Sequence, residues 1–207
     1  DLNDSPNLIS LTCINTALTT LDVSNLPELE TLACWRGQIS NLNLTGLLHL
    51  KTLNYSYNYI TDMSLTNLPL LESLSCNDNL LTTLNVSDLT SLKTLGCGRN
   101  QLTTLNLTGL ASLVNLDFSY NNITLANISG ISPNLITLGC ESNNLTSLDV
   151  SGFPALENLY CKQNQLTALD LSATNNLKYL HCDYNQISNL NVSNLNNLIQ
   201  LECSNNV

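Results

Sequence analysis

Leucine recurs along this chain with a fixed stride. Aligning on it gives segments that start at Leu8, Leu29, Leu50, Leu71, Leu92, Leu113, Leu135, Leu156, Leu177 and Leu198. Nine segments are complete; eight of them have 21 residues, and the one from Leu113 to Asn134 has 22. Each reads approximately L-x-x-L-x-C-x-x-N-x-L-T-x-L-N-V-S-x-L-x-x, as in Leu71, Leu74, Cys76, Asn79, Leu81, Thr82, Leu84, Asn85, Val86, Ser87 and Leu89. Positions 4 and 6 are apolar while 3, 5 and 7 mostly are not, which predicts one short strand per segment with one buried face. A single segment cannot bury its own leucines. Neighbours must stack, joining their strands into one parallel sheet and their apolar positions into one continuous core. With strands about 4.8 Å apart, nine turns span on the order of 45 Å along the sheet. The expected architecture is a curved right-handed repeat solenoid, β-rich within the α/β class, with a concave parallel sheet of about ten strands. On its convex side, segments such as Leu84 to Leu89 are too short and too β-like for a long helix, so short extended or 3-10 stretches are expected there. Residues 1–7 read as a lead-in and 8–207 as one solenoid domain whose tenth repeat is partial.

Two further positions recur. Asn stands at position 9 in Asn58, Asn79, Asn100, Asn121, Asn143, Asn164, Asn185 and Asn206. There its side-chain amide can satisfy backbone groups of the turn and stack on its copies. Thr16 and Gly37 occupy that position in the first two rungs, so an imperfect amino-terminal start of the ladder is expected. Cysteine stands at position 6 in Cys13, Cys34, Cys76, Cys97, Cys140, Cys161, Cys182 and Cys203, and never as a C-x-x-C pair. Tyr55 and Phe118 replace it in two rungs, which marks position 6 as a packing position and the cysteines as buried free thiols. Their side chains should point in parallel into the core, against disulfide pairing between neighbours. No His lies beside them to complete a mixed zinc site, so neither a metal nor a cofactor is expected.

With L-x-x-L-x-C-x-x-N in nearly every rung, the chain resembles the leucine-rich-repeat (LRR) family over about residues 8 to 207. Its 21-residue form, with Leu-Asp-Val-Ser and Leu-Asn-Leu-Thr segments, resembles bacterial secreted and surface repeat proteins, particularly those of Bacteroidetes-type bacteria. The resemblance implies the solenoid, a role in binding or adhesion, and an extracellular or cell-surface location. It is far more specific for fold than for function.

Charge narrows the partners. Six Lys plus Arg stand against sixteen Asp plus Glu, a formal net charge of -10, so a phosphate backbone is repelled and nucleic acid is a poor partner. No apolar run approaches the roughly 18 residues of a membrane span, so membrane insertion is not expected. Catalysis has few players. The two histidines are His49, at the end of a rung, and His181, on the strand face. Gly96-Cys97-Gly98 is followed by no helix start or Lys-Ser/Thr, and Asn77-Asp78-Asn79 falls far short of a calcium loop. The chain reads as a binding protein without catalytic residues.

Variation concentrates on the expected concave face. Positions 2, 3, 5, 7 and 8 hold all six basic residues, eight of the sixteen acidic ones and six of the ten aromatics. Part of this places opposite charges on adjacent strands: Glu30, Lys51, Glu72 and Lys93, then Glu157 and Lys178 at position 2, and Glu141, Lys162 and Asp183 at position 7. Position 8 runs Arg36, Tyr57, Asp78, Arg99, Tyr120 and later Tyr184, with Trp35 alongside at position 7. Exposed Trp, Tyr and Arg are typical binding anchors. A second cluster, Tyr160, Tyr179, His181 and Tyr184, should share adjacent rungs. These residues predict a surface for a protein or glycan ligand. A different reading makes the chain a repetitive scaffold, spacer or ice-binding surface. It rests on hydroxyl ladders at position 12 (Thr19, Ser40, Thr61, Thr82, Thr103, Thr124, Thr146, Thr167, Ser188) and position 17 (Ser24, Thr45, Thr66, Ser87, Thr108, Ser129, Ser151, Ser172, Ser193). Neither end carries a cap, which leads to the expectation of further repeats or a cap domain in a longer protein.

Overall fold

The computed structural model describes every residue except Asp1, Asn3, Asp4 and Ser129. Ten three-residue strands form one parallel sheet: β1 (Ser10–Thr12), β3 (Thr31–Ala33), β5 (Thr52–Asn54), β6 (Ser73–Ser75), β7 (Thr94–Gly96), β8 (Asn115–Asp117), β9 (Thr137–Gly139), β10 (Asn158–Tyr160), β11 (Tyr179–His181) and β12 (Gln200–Glu202). Each strand pairs with the one a full repeat away. The position-4 leucines therefore lie opposite one another from Leu11 and Leu32 through Leu95 and Leu116 to Leu180 and Leu201.

Between the sheet strands the chain returns along the other side of the solenoid. There β2 (Thr20–Asp22) pairs with β4 (Asn41–Asn43), and single parallel bridges join Asn85 to Asn106 and Asn106 to Asn127. The extended alternative for this side is thus correct in the first two rungs and, as single bridges, in rungs four to six. The 3-10 alternative is not: no helix of any kind occurs among the described residues. At position 15 an Asp or Asn accepts the backbone N–H two residues on, as Asp22 does from Ser24 and Asn106 from Thr108. That local bond turns the chain without a helical ladder.

Leucine, isoleucine and valine at positions 1, 4, 11, 14, 16 and 19 fill a single apolar cluster with the thiols, Tyr55 and Phe118. Ile128 and Ile131 keep the positions that Val86 and Leu89 hold in their rung. The extra residue of the 22-residue rung therefore falls between Ile131 and Leu135. There buried Ser132 accepts the Asn134 N–H at 3.1 Å, so the insertion is absorbed in a side turn and the sheet register is untouched.

The two inner ladders follow from this register. Asn100 donates its amide to the carbonyls of Cys76, Cys97 and Gly98 at 3.0 to 3.1 Å and accepts the Leu81 N–H at 3.0 Å. The same four bonds recur at Asn58, Asn79, Asn121, Asn143, Asn164 and Asn185, all buried. The ladder starts at Asn58; at Gly37, the same place one rung earlier, a Cβ would sit 2.8 Å from the Asn58 side-chain amide oxygen, which accepts the Ile39 N–H. All eight cysteines are free, and Cys34, Cys76, Cys97, Cys140, Cys161 and Cys182 are buried. Cys13 is half-buried and Cys203 is exposed, a correction to the expectation that all eight are interior; they sit in the first and last strands' rungs, which have a neighbour on one side only.

Candidate functional site

The side chains at positions 3, 5, 7 and 8 decorate the outward face of the ten-stranded sheet. Position 8 is not a strand residue. In every rung it takes the left-handed conformation, with φ between 49° and 57° at Asn15, Arg36, Tyr57, Asp78, Arg99, Tyr120, Ser142, Gln163, Tyr184 and Asn205. Its N–H still donates to the next rung, for example Arg36 to Ser56 O at 3.0 Å and Tyr120 to Glu141 O at 2.7 Å. The ladder therefore continues while the chain turns and the position-8 side chain is thrown outward. A left-handed residue with a Cβ costs roughly 1 kcal/mol or more, and Gly or Asn is the usual occupant. Here Arg and Tyr predominate.

These side chains contact one another along the edge. The Arg36 guanidinium lies 5.2 Å from the Trp35 ring centre and 5.6 Å from that of Tyr57. Arg99 stacks over Tyr120 at 4.0 Å and reaches the Asp78 carboxylate at 4.0 Å. Arg36, Tyr57, Arg99 and Tyr120 remain exposed, while Trp35 and Asp78 are half-buried. The opposite charges at position 2 pair as their register requires: Lys51 with Glu30 at 2.7 Å, Lys93 with Glu72 and Lys178 with Glu157 at 2.8 Å. At position 7, Lys162 lies 3.6 Å from Glu141.

In the carboxyl-terminal cluster the ring contact is Tyr160 with His181, edge to face at 4.9 Å. His181 Nδ1 lies 3.8 Å from Glu202, while its Nε2 is buried with no hydrogen-bond partner. Tyr179 is half-buried at position 3, and Tyr184 is exposed on the position-8 edge, so the four residues share two adjacent rungs without forming one patch.

Between the two aromatic groups the face is hollow. A depression of about 250 Å³ is lined by Tyr57, Asp78, Arg99, Asp117, Tyr120 and Glu141. A second, of about 370 Å³, is lined by Asp117, Thr137, Gly139, Glu141, Tyr160 and His181. Asp117, Ser119 and Glu141 belong to both. Gly139 makes the room: a Cβ there would lie 2.7 Å from Asp117 Oδ1. That oxygen accepts the Ser119 N–H at 2.9 Å, and the Ser119 hydroxyl accepts the Glu141 N–H at 3.1 Å, which holds the Asp117 carboxylate and the Glu141 main chain at the floor. Burial holds the Glu141 carboxyl above its ordinary pKa, and Lys162 and His181 offset this only in part. Sequence reading missed this floor. Its signal is the run of small side chains at positions 5 and 7, Ser75, Gly96, Gly98, Ser119 and Gly139, between rungs that carry Trp35 and Tyr160.

Among the described residues, no group of three or more His, Cys, Asp or Glu is arranged to hold a metal, and no helix is long and apolar enough to cross a membrane. No protein-family model and no curated protein matches the chain. Solved structures do, and they are leucine-rich-repeat proteins. The functional domain of InlJ from Listeria monocytogenes, described as including a cysteine ladder, superimposes with a TM-score of 0.93 at 36% identity, covering 95% of this chain and 44% of that one. YopM from Yersinia enterocolitica matches at 28% identity and a TM-score of 0.78, over 89% of this chain and 39% of that one. An LRR protein of Leptospira interrogans, LIC12759, matches at 26% and 0.68, over 92% and 59%. With its stride of about 21 residues and its ten-stranded parallel sheet, the chain belongs to the leucine-rich-repeat family. It spans between 39% and 59% of the length of these three.

Proposed function

We propose that this solenoid is a non-enzymatic binding module that captures a protein ligand, at the cell surface or outside the cell, on the outward, concave face of its sheet. The observation that carries this reading is the position-8 row. Arg36, Tyr57, Arg99 and Tyr120 occupy a left-handed backbone position that a glycine would fill at less cost, yet present their rings and guanidinium groups to solvent already stacked. Side chains ordered before the partner arrives lose little entropy on binding, and Trp, Tyr and Arg are the residue types that dominate interface energies. The likeness to the leucine-rich-repeat proteins InlJ and YopM supports protein binding as the class of activity.

The test is capture of ligands from an array of extracellular proteins and glycans, with a Trp35→Ala, Tyr57→Ala, Tyr120→Ala variant alongside. The proposal expects a protein hit that weakens at least about 100-fold in the variant, whose thermal unfolding stays cooperative. Capture that survives the triple change assigns binding to another face, and a glycan hit alone replaces the ligand class.

One observation favours the scaffold or ice-binding alternative: all nine position-12 residues, Thr19 through Ser188, are exposed. The position-17 ladder supports it less, since Ser24 and Ser87 are half-buried and Ser129 lies outside the described residues. Ice crystals of normal habit in the protein's presence dispose of the ice-binding version.

A further inference from the structure

We infer that the Gly139 depression receives a single cationic side chain, an arginine or lysine carried by the protein partner. The inference rests on the reading that the sheet face is the binding face, and it specifies what that face recognises. Two adjacent depressions are lined by the same kinds of group. In the first depression an aromatic ring and a carboxylate, Tyr120 and Asp78, flank Arg99, whose guanidinium lies 4.0 Å from each. In the second, the ring is Tyr160 and the carboxylates are Asp117 and Glu141, and no arginine or lysine of the chain lines it. The same kinds of group are present without a cation at the centre.

The groups left without partners agree on the sign of the ligand. Asp117 uses Oδ1 to hold Ser119. Glu141 has Lys162 at 3.6 Å, outside the lining, and its carboxyl still suffers from burial. His181 turns Nδ1 toward Glu202 at 3.8 Å, and its buried Nε2 has no hydrogen-bond partner among the described residues. Two carboxylates and a ring wall can be satisfied together by a planar guanidinium, which donates five N–H groups and stacks on aromatic faces. An anion is opposed by both carboxylates and by the formal net charge of -10. A neutral side chain of the same shape leaves Glu141 half-buried without further compensation. Gly139 keeps this space open, since a Cβ there would lie 2.7 Å from Asp117 Oδ1.

The probe is the tripeptide acetyl-Gly-Arg-Gly-amide, with its citrulline counterpart as the uncharged isostere, followed through backbone amide chemical shifts. The inference expects saturable shifts centred on Gly139, Glu141 and Tyr160, at least tenfold weaker for citrulline; a lysine tripeptide acting on the same amides supports it equally. The Asp117→Asn, Glu141→Gln variant should weaken the arginine peptide at least tenfold. This variant keeps a fold precedent, because Asn54, at the position equivalent to Asp117, accepts the Ser56 N–H at 3.0 Å. Its control is Asp149→Asn, Asp170→Asn, the same change in net charge on the far side of the solenoid, where Asn43 and Asn106 already fill the equivalent position. That control should stay within twofold of the parent. Shifts spread over the acidic surface, equal losses in both double variants, or no saturable response overturn the inference. Lost array capture in the Trp35, Tyr57, Tyr120 variant with no response at Gly139 removes the cation site and leaves the binding face standing. A response at Gly139 with array capture intact does the reverse.

Discussion

Asn58 and Tyr57 are neighbours in the chain, and each heads a row that runs along the sheet. Asn58 is buried and spends its whole amide on backbone: three carbonyls at 2.8 to 3.3 Å and the Ile39 N–H at 2.9 Å. Tyr57 is exposed, sits at φ 57° and touches its row only through the Arg36 guanidinium. One residue apart, the inner row admits Asn in eight rungs, while the outer row admits Asn, Arg, Tyr, Asp, Ser and Gln. What separates them is where the cost of change falls. An inner change strands a buried backbone N–H, whereas an outer change alters a solvated contact. The solenoid can thus hold its register with one side chain and vary its surface with the next.

The largest expected effect breaks the inner side by pH. Burial raises the pKa of the thiols of Cys34, Cys76, Cys97, Cys140, Cys161 and Cys182, those of Cys34, Cys76 and Cys182 to about 12. In the unfolded chain they ionise above about pH 8.5. The folded pKa values lie above the unfolded ones, so this stability is fully present below pH 8.5 and is lost as pH rises toward the folded values. Each thiol contributes a slope of about 1.4 kcal/mol per pH unit, and the six together about 8. Urea midpoints at pH 8, 9 and 10 should fall steeply, and a Cys97→Ala, Cys140→Ala variant should lose roughly a third of the slope. Midpoints that ignore pH would place these thiols in contact with water.

Next in size is Asn100→Ala. It removes one acceptor and three donated bonds, stranding the buried Leu81 N–H, while the carbonyls of Cys76 and Cys97 keep the amides of Asn79 and Asn121. A loss of about 3 kcal/mol in chemical denaturation is expected, at the upper end of the range for a stranded buried group. A loss below about 1 kcal/mol would show that water replaces the amide, and the inner row would then be no stricter than the outer.

The inner rows were legible in the sequence because their constraint is periodic. A stride of 21 residues puts like on like, so Leu, Cys and Asn betray the sheet, its parallel register and even the partners of Lys51, Lys93 and Lys178. Position 8 was legible only as a list of side chains. A left-handed backbone is normally announced by Gly or Asn, and Asn15 and Asn205 alone carry that signal here, while Arg36, Tyr57 and Tyr120 conceal it. The acidic floor was hidden for another reason. Asp117 leans over Gly139, a relation between unlike residues of adjacent rungs that no ladder of identical positions displays. The side turn at Ser132 escaped likewise, since a count of 22 reveals an insertion without locating it.

Arg99→Gly tests the outer row. It relieves the left-handed strain at φ 53° and removes the stack on Tyr120 together with the contact to Asp78. Strain relief and the lost cation–π contact are each about 1 kcal/mol and opposite in sign, and glycine adds a similar entropic loss. Denaturation should therefore change by no more than about 1 kcal/mol, while ligand capture by the face declines. A loss as large as that of Asn100→Ala would make position 8 a structural row after all.

The smallest effect is expected where the pattern looks most ordered. Glu72 and Lys93 sit on neighbouring strands 2.8 Å apart, both about half exposed, in a row that repeats the pairing with Glu30, Lys51, Glu157 and Lys178. Exchanging them, Glu72→Lys with Lys93→Glu, keeps the pair and inverts it. Screening and side-chain entropy hold such pairs to roughly 0.5 kcal/mol, so denaturation of the exchanged protein should be indistinguishable from the parent at moderate salt. The exchange also sets a second ammonium group beside that of Lys51 and turns a favourable neighbour into a repulsive one, a cost of similar size that low salt should expose. If the exchanged protein loses about 2 kcal/mol or more, the charged row shares the strictness of the buried asparagines, and the boundary between register and surface lies one row further out than Tyr57 and Asn58 place it.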